Sequence, residues 1–159
     1  MGQRQWILLR HGNAEAESAS GKDQDRALSA HGQDEARSAA QWLQSRLKGH
    51  SVRLMSSSAS RALATAGPVA EALGVQVELE PDIYDATPGR LMAILNERGN
   101  EGVTVLVGHN PGLEQTVALL GEGRTDEYRG MPTGSVAWFD VPEDMVEPGN
   151  GRLTAFWRP

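Results

Sequence analysis

The chain has 159 residues, the size of one compact domain at about 100 to 200 residues per domain, so residues 1–159 are expected to form a single unit. Hydrophobic residues make up 39% and charged residues 23%, a globular composition, and 15 Lys and Arg against 21 Asp and Glu give a net charge of −6, which argues against nucleic acid or an anionic membrane as a partner. Cysteine is absent, which excludes disulfides, thiolate metal sites and every thiol nucleophile, and with them a cysteine-based phosphatase.

In chain order, residues 5–9 are short, apolar and run at once into a glycine turn, the pattern of a buried strand. Over 33–47 the apolar positions Ala36, Ala40, Leu43 and Leu47 recur at helical spacing, with Ser29 to Gly32 as the entry and Gly49 as the stop. Residues 52–55 form a second strand leading into Ser56, Ser57 and Ser58, and the alanine-rich stretch 59–73 predicts a helix ending at Gly74, kinked or split by Pro68. A strand at 75–79, a loop at 80–89 and a helix marked by Leu91, Ile94 and Leu95 follow. The fully apolar, β-branched run 103–107 reads as a central parallel strand. The next helix carries Leu113, Val117 and Leu120, with Asn110 as its N-cap and Pro111 at its first position. Strands at 135–141 and 153–157 close the chain as a hairpin around 147–151. Strands alternating with helices predict an α/β three-layer sandwich, with helices on both faces of a mainly parallel sheet. The longest apolar runs, 6–9 and 103–107, fall far short of the roughly 20 residues that span a bilayer, and no charged-then-apolar leader precedes them. The expected location is therefore cytoplasmic.

Parallel sheets bind ligands outside the carboxyl ends of their strands. Two of the predicted strand ends carry a histidine, in Arg10-His11-Gly12 and in Gly108-His109-Asn110-Pro111, and a third carries Ser57 with Arg61 four residues on. If these loops converge, two imidazoles and two guanidiniums meet in a cluster suited to a dianionic phosphoryl group.

These elements, in this order, resemble the histidine phosphatase superfamily, with its phosphoglycerate-mutase-like fold. The whole chain is similar to the small SixA-type phosphohistidine phosphatases. Further matches are Arg26-x-Leu28-Ser29-x-x-Gly32, His109-Asn110-Pro111-Gly112-Leu113 and Met131-Pro132-Thr133-Gly134, so the likeness runs from residue 5 to the end. The resemblance implies a metal-independent phosphatase without a cofactor. In it His11 is the nucleophile that becomes phosphorylated, while Arg10, Arg61 and His109 cradle the phosphate; a neutral imidazole near pH 7 suits the first role. Asn13 and Arg26 are additional phosphate-binding candidates, although an Asn in a turn often satisfies its own backbone and Arg26 has acids beside it. His31 and His50 match no motif and are expected in solvent.

Glu80, Asp82 and Asp85 lie where larger relatives keep a general acid, but the match is poor. A site without an acid suits phosphohistidine, because an imidazole of pKa about 6.5 leaves far more readily than an alcohol. The expected substrate is thus phosphohistidine on a partner protein of phosphorelay or phosphotransferase type. The alternatives are a phosphatase for small phosphate monoesters or phosphoanhydrides and a non-catalytic phosphate-binding docking module. A metal hydrolase is disfavoured because the four histidines show neither HxH nor HExxH spacing.

Overall fold

The layers of the molecule follow from side-chain alternation in its central strands. In β1 (Arg4–Arg10), Trp6 and Leu8 enter one hydrophobic cluster while Ile7 and Leu9 enter another on the opposite face, all fully buried. Strand β4 (Val103–Gly108) alternates in the same way, with Val103, Val105 and Val107 on the Ile7 side and Leu106 on the Trp6 side. A sheet buried on both faces needs a helical layer on each. Helices α1 (Ala30–Leu47) and α2 (Ser60–Leu73) supply Leu43, Leu47, Ala62, Ala66 and Val69 to the first face, and α3 (Pro88–Arg98) and α4 (Gly112–Glu122) supply Leu91, Leu95, Leu113 and Leu120 to the second.

The computed structural model describes residues 4–126 and 130–159. Its remaining strands are β2 (Val52–Ser56), β3 (Val77–Leu79), β5 (Val136–Val141) and β6 (Arg152–Trp157). The sheet order is β3-β2-β4-β1-β5-β6; β3, β2, β4 and β1 run parallel, and β5 and β6 form an antiparallel hairpin whose first strand pairs with β1. The predicted three-layer α/β sandwich is the observed fold, with β4 at the position expected of the apolar run.

Several boundaries differ from expectation, each for a local reason. Helix α1 starts three residues earlier because the Ser29 hydroxyl accepts the Gly32 N–H (3.0 Å) and so caps it. Helix α2 runs through Pro68 without splitting; the carbonyl that loses its partner belongs to Ala64, which is exposed and so open to water. Strand β3 loses residues 75 and 76 because the Val75 N–H donates to the Ala70 carbonyl (3.0 Å) and extends the helix terminus. The expected loop at 80–89 contains a 3₁₀ turn, Pro81–Ile83, that buries Ile83, and the first turn of α3 capped by Thr87. At α4 the cap position belongs to Pro111, which already has helical dihedrals, and not to Asn110; the Asn110 side-chain oxygen still accepts the Glu114 N–H (3.2 Å).

One close approach ties α1 to the loop after β1. A Cβ on Gly12 would lie 2.5 Å from the Gly32 carbonyl oxygen, and one on Gly32 would lie 1.9 Å from that of Asn13. Gly32→Ala should therefore destabilise the protein by more than about 2 kcal/mol, while Gly89→Ala, exposed near the start of α3 with nothing within 4 Å, should stabilise it by about 0.5 to 1 kcal/mol. Urea unfolding of both variants checks this; equal effects would contradict the packing described.

Candidate active site

The register of the two central strands brings the motif loops together. Arg10 of β1 lies opposite Gly108 of β4, so the next residues, His11 and His109, emerge side by side, and the His11 N–H donates to the Gly108 carbonyl (3.2 Å). Their ring centroids are 4.9 Å apart, and both residues are buried, at 7% and 8% exposure. His11 Nδ1 lies 2.7 Å from the Gly12 carbonyl oxygen. Because a carbonyl only accepts, Nδ1 carries the proton and Nε2 keeps its lone pair. His109 Nε2 lies 2.8 Å from Ser57 Oγ, which also accepts the Ala59 N–H (3.2 Å).

Helix α2 explains the Ser57, Arg61, Thr65 spacing. Arg61 and Thr65 lie one turn apart on the buried side of α2, and the Thr65 hydroxyl donates to the Arg61 carbonyl (2.8 Å) while accepting the Gly12 N–H (3.0 Å). The β2 end, α2 and the His11 loop are thereby joined. Arg10 is fixed from the other side, with Nη1 donating to the Met131 carbonyl (2.7 Å). Among the described residues, Arg10 Nε and His109 Nδ1 are buried and have no hydrogen-bond partner.

This environment sets the protonation states. Burial pushes His11 down to about 4, against the pull of its bond to the Gly12 carbonyl and assisted by the positive charges of Arg61, Arg10 and Arg26. Burial also pushes His109 down to about 3, helped by His11 and Arg61. Arg10 is lowered by burial and held up by Glu114 and Glu35. At neutral pH the site is a pair of neutral imidazoles beside fixed cations.

His11, Arg10, Arg61 and His109 thus lie together at one edge of the sheet. Asn13 is exposed, and its side-chain oxygen accepts from the Ser29 hydroxyl (2.8 Å), the local role an Asn in a turn often takes. Arg26 donates through Nε to the Glu15 carbonyl (2.9 Å) and pairs with Asp23 (3.2 Å), so it reaches the cluster through an acid. Glu80 pairs with Arg98 (2.6 Å), Asp82 with Arg90, and Asp85 is exposed with φ of 55°. His50 is exposed; His31 is mostly exposed and lies 3.4 Å from Glu35 Oε2.

Three contributors have no motif in the sequence reading. Asp23 Oδ2 accepts from Arg61 Nη2 (2.9 Å) and from the Tyr84 hydroxyl (2.6 Å), bonds that hold its carboxyl below the usual range and raise the phenol of Tyr84. Tyr84 also stands edge-on to the His109 ring, with centroids 5.5 Å apart. Glu35 is buried and accepts the Asn13 N–H (2.8 Å) at one oxygen and the Thr133 hydroxyl (2.9 Å) at the other. Among the described residues, no group of three His, Asp or Glu is placed to hold a metal ion.

The model of the histidine phosphatase superfamily (branch 1) matches residues 6–101, well over half the chain. No curated protein matches by sequence. Solved structures similar over the full length include the protein histidine phosphatase SixA complexed with tungstate, at 27% identity, TM-score 0.81 and coverage of 98% of this chain and 97% of that one. A protein assigned as a phosphohistidine phosphatase SixA from Agrobacterium tumefaciens has 27% identity and TM-score 0.80, with both chains covered completely. The mycobacterial glucosyl-3-phosphoglycerate phosphatase, at 22% identity and TM-score 0.74 over 98% of this chain and 99% of its own, shares the fold.

The depressed histidines have a consequence for stability. Between about pH 4 and pH 6.5 the unfolded chain binds protons that the folded His11 and His109 refuse, so stability falls as the pH drops through that range, by up to about 1.4 kcal/mol per pH unit for each histidine. In phosphate-free buffer, denaturant unfolding at pH 6.5 and 5.0 should show a larger loss for the wild type than for a His11→Ala, His109→Ala double variant. Equal losses would contradict the neutral, buried state of the pair.

Proposed function

Within the histidine phosphatase superfamily, to which the chain belongs, we propose that it is a phosphohistidine phosphatase acting on partner proteins through a phospho-His11 intermediate. The observation that carries this reading is the neutral His11, its Nε2 free, beside two guanidiniums, with Asp23, the carboxyl bound to Arg61, held ionised. Residues 1–159 act as one domain, in the cytoplasm; no helix among the described residues is long and apolar enough to cross a membrane.

In the first step His11 Nε2 attacks phosphorus in line, and the bond from phosphorus to the substrate ring breaks, its electron pair going to the departing nitrogen; the other nitrogen of that ring carries a proton, so the ring leaves as neutral imidazole. Arg10, Arg61 and His109 hold the phosphoryl oxygens, whose charge is greatest in the transition state. With the Ser57 hydroxyl donating its hydrogen bond to His109 Nε2, the ring carries its own N–H at Nδ1, the buried atom without a partner among the described residues. Arg26 adds positive potential from the rim, and Asn13 keeps the turn after His11 in shape. Water then attacks phospho-His11 from the side the leaving group vacated, releasing phosphate and restoring the imidazole. These charges stabilise the transferring group without a metal ion.

The leaving group is the point at which protein phosphohistidine and a phosphate monoester part. An alkoxide needs a proton, and Asp23, the carboxyl bound to Arg61, is held ionised by Tyr84 and Arg61 and so serves poorly as a donor. The ion pairs of Glu80 and Asp82 with Arg98 and Arg90 occupy those acids as well.

His11→Ala should lower phosphate release at least about a thousandfold while leaving thermal unfolding close to that of the wild type, and a rapid quench without acid should trap phosphate on His11 in the unmodified protein. Retention of more than a few per cent of the activity would remove His11 from the mechanism.

Across phosphohistidine or phosphoramidate, an aryl phosphate and an alkyl phosphate or phosphoserine, kcat/KM measured at one pH in excess chelator should fall steeply as the leaving group becomes more basic. Comparable values for phosphohistidine and alkyl phosphate would overturn the substrate assignment. Activity lost to the chelator and restored by a divalent ion would overturn metal independence.

A further inference from the structure

Both terminal nitrogens of Arg61 are taken by one residue. Nη1 donates to the Asp23 carbonyl (2.8 Å) and Nη2 to Asp23 Oδ2 (2.9 Å). The carboxylate is secured from two further directions, by the Tyr84 hydroxyl at Oδ2 (2.6 Å) and by Arg26 Nη1 at Oδ1 (3.2 Å). The Arg61 side chain is 8% exposed and that of Asp23 48%, so the carboxylate lies between the guanidinium and solvent. A phosphoryl group that takes Arg61 Nη2 must displace the carboxylate from it, because a guanidinium N–H already given to one anion is not free for another.

We propose that Asp23 is an internal anion that competes with phosphate for Arg61 and thereby sets the site's affinity for phosphorylated ligands and for the free phosphate product. The proposal rests on the phosphatase reading of this site and adds to it a residue that governs binding. A dianion that takes Nη2 meets the Asp23 charge at short range, and the two repel. The carboxylate therefore yields when substrate binds and returns when the phosphoryl group has been hydrolysed, driving phosphate out of a site whose cations would otherwise hold it.

The geometry gives that exchange a path. The Asp23 carbonyl keeps Nη1, so Arg61 stays in place while the carboxylate turns away. A hollow of about 600 Å3, lined by residues 16–23 and Arg26, lies beside Asp23 and has room for the side chain. Asp23 remains ionised well into the acid range, because Tyr84 and Arg61 both stabilise its charged form, so the competition persists wherever His11 is neutral.

Asp23→Asn separates this role from mere support of Arg61, since it keeps the shape and an acceptor oxygen but removes the charge. Orthophosphate titrated calorimetrically at pH 7.5 into the wild type and the variant should bind the variant about tenfold more tightly, and in turnover the variant should show a lower KM together with stronger inhibition by phosphate. An unchanged or weaker affinity in the variant would overturn the proposal, a weaker one meaning that Asp23 only positions Arg61. Orthophosphate is not the substrate, so binding to the wild type that the substitution leaves unaltered sinks this inference while the phosphatase reading stands. Absence of binding to both proteins would sink the two together.

Discussion

Strands β1 and β4 run parallel with Arg10 opposite Gly108, and the active site depends on that register. It sets His11 beside His109 at neighbouring strand ends, and both strands are central, so the residues that follow them start out buried. A slip of one residue would turn every side chain of a strand to the opposite layer, exchanging Trp6 and Leu8 with Ile7 and Leu9, and the apolar packing on both faces forbids it. The core thus enforces the geometry of the polar site. Burial then does chemical work, because two imidazoles packed at 4.9 Å with guanidiniums nearby lose their protons, while guanidiniums in the same surroundings keep theirs.

The site is held by bonds that reach across layers. Glu35 of α1 accepts from the loop that follows His11 and from Thr133, two residues beyond the Met131 carbonyl that fixes Arg10. Gly134, at φ of 74°, lets that segment pass so close that a Cβ there would meet the Glu35 side chain at 2.9 Å. Thr65 does the same from α2, joining Gly12 to Arg61. The arrangement is costly in isolation, since Arg10 Nε and His109 Nδ1 are buried without partners among the described residues, and groups of that kind destabilise a fold by about 1 to 3 kcal/mol each. Costs of this sort concentrate where a ligand supplies the missing acceptor.

The parts of this arrangement legible in the sequence are those tied to a strand end. His11 and His109 each follow an apolar run and precede a glycine or proline turn, so local pattern alone placed them at one edge of the sheet. Arg61 was legible through its spacing from Ser57 and Thr65 on a helix. Asp23 and Tyr84 were not, because they lie in irregular segments with no periodicity, and their meeting with Arg61 and His109 is a product of tertiary packing between residues 25 to 61 positions apart in sequence. Glu35 reads as one more polar residue of an amphipathic helix; its partners, the Asn13 N–H and the Thr133 hydroxyl, lie 22 and 98 residues away in sequence. The misplaced boundaries have the same origin. A hydrogen bond from Val75 back to α2, and helical dihedrals already present at Pro111, override patterns that residue types alone would favour.

The central claim is that four side chains, from the ends of β1 and β4 and from α2, close on one oxyanion. A crystal structure of the protein with tungstate tests it most directly. The account predicts a single tungstate within hydrogen-bonding distance of Arg10, Arg61 and His109, with His11 Nε2 in line with the metal atom and the Asp23 carboxylate withdrawn from Arg61. Tungstate bound elsewhere, or bound at the cluster with His11 facing away from it, would contradict the account.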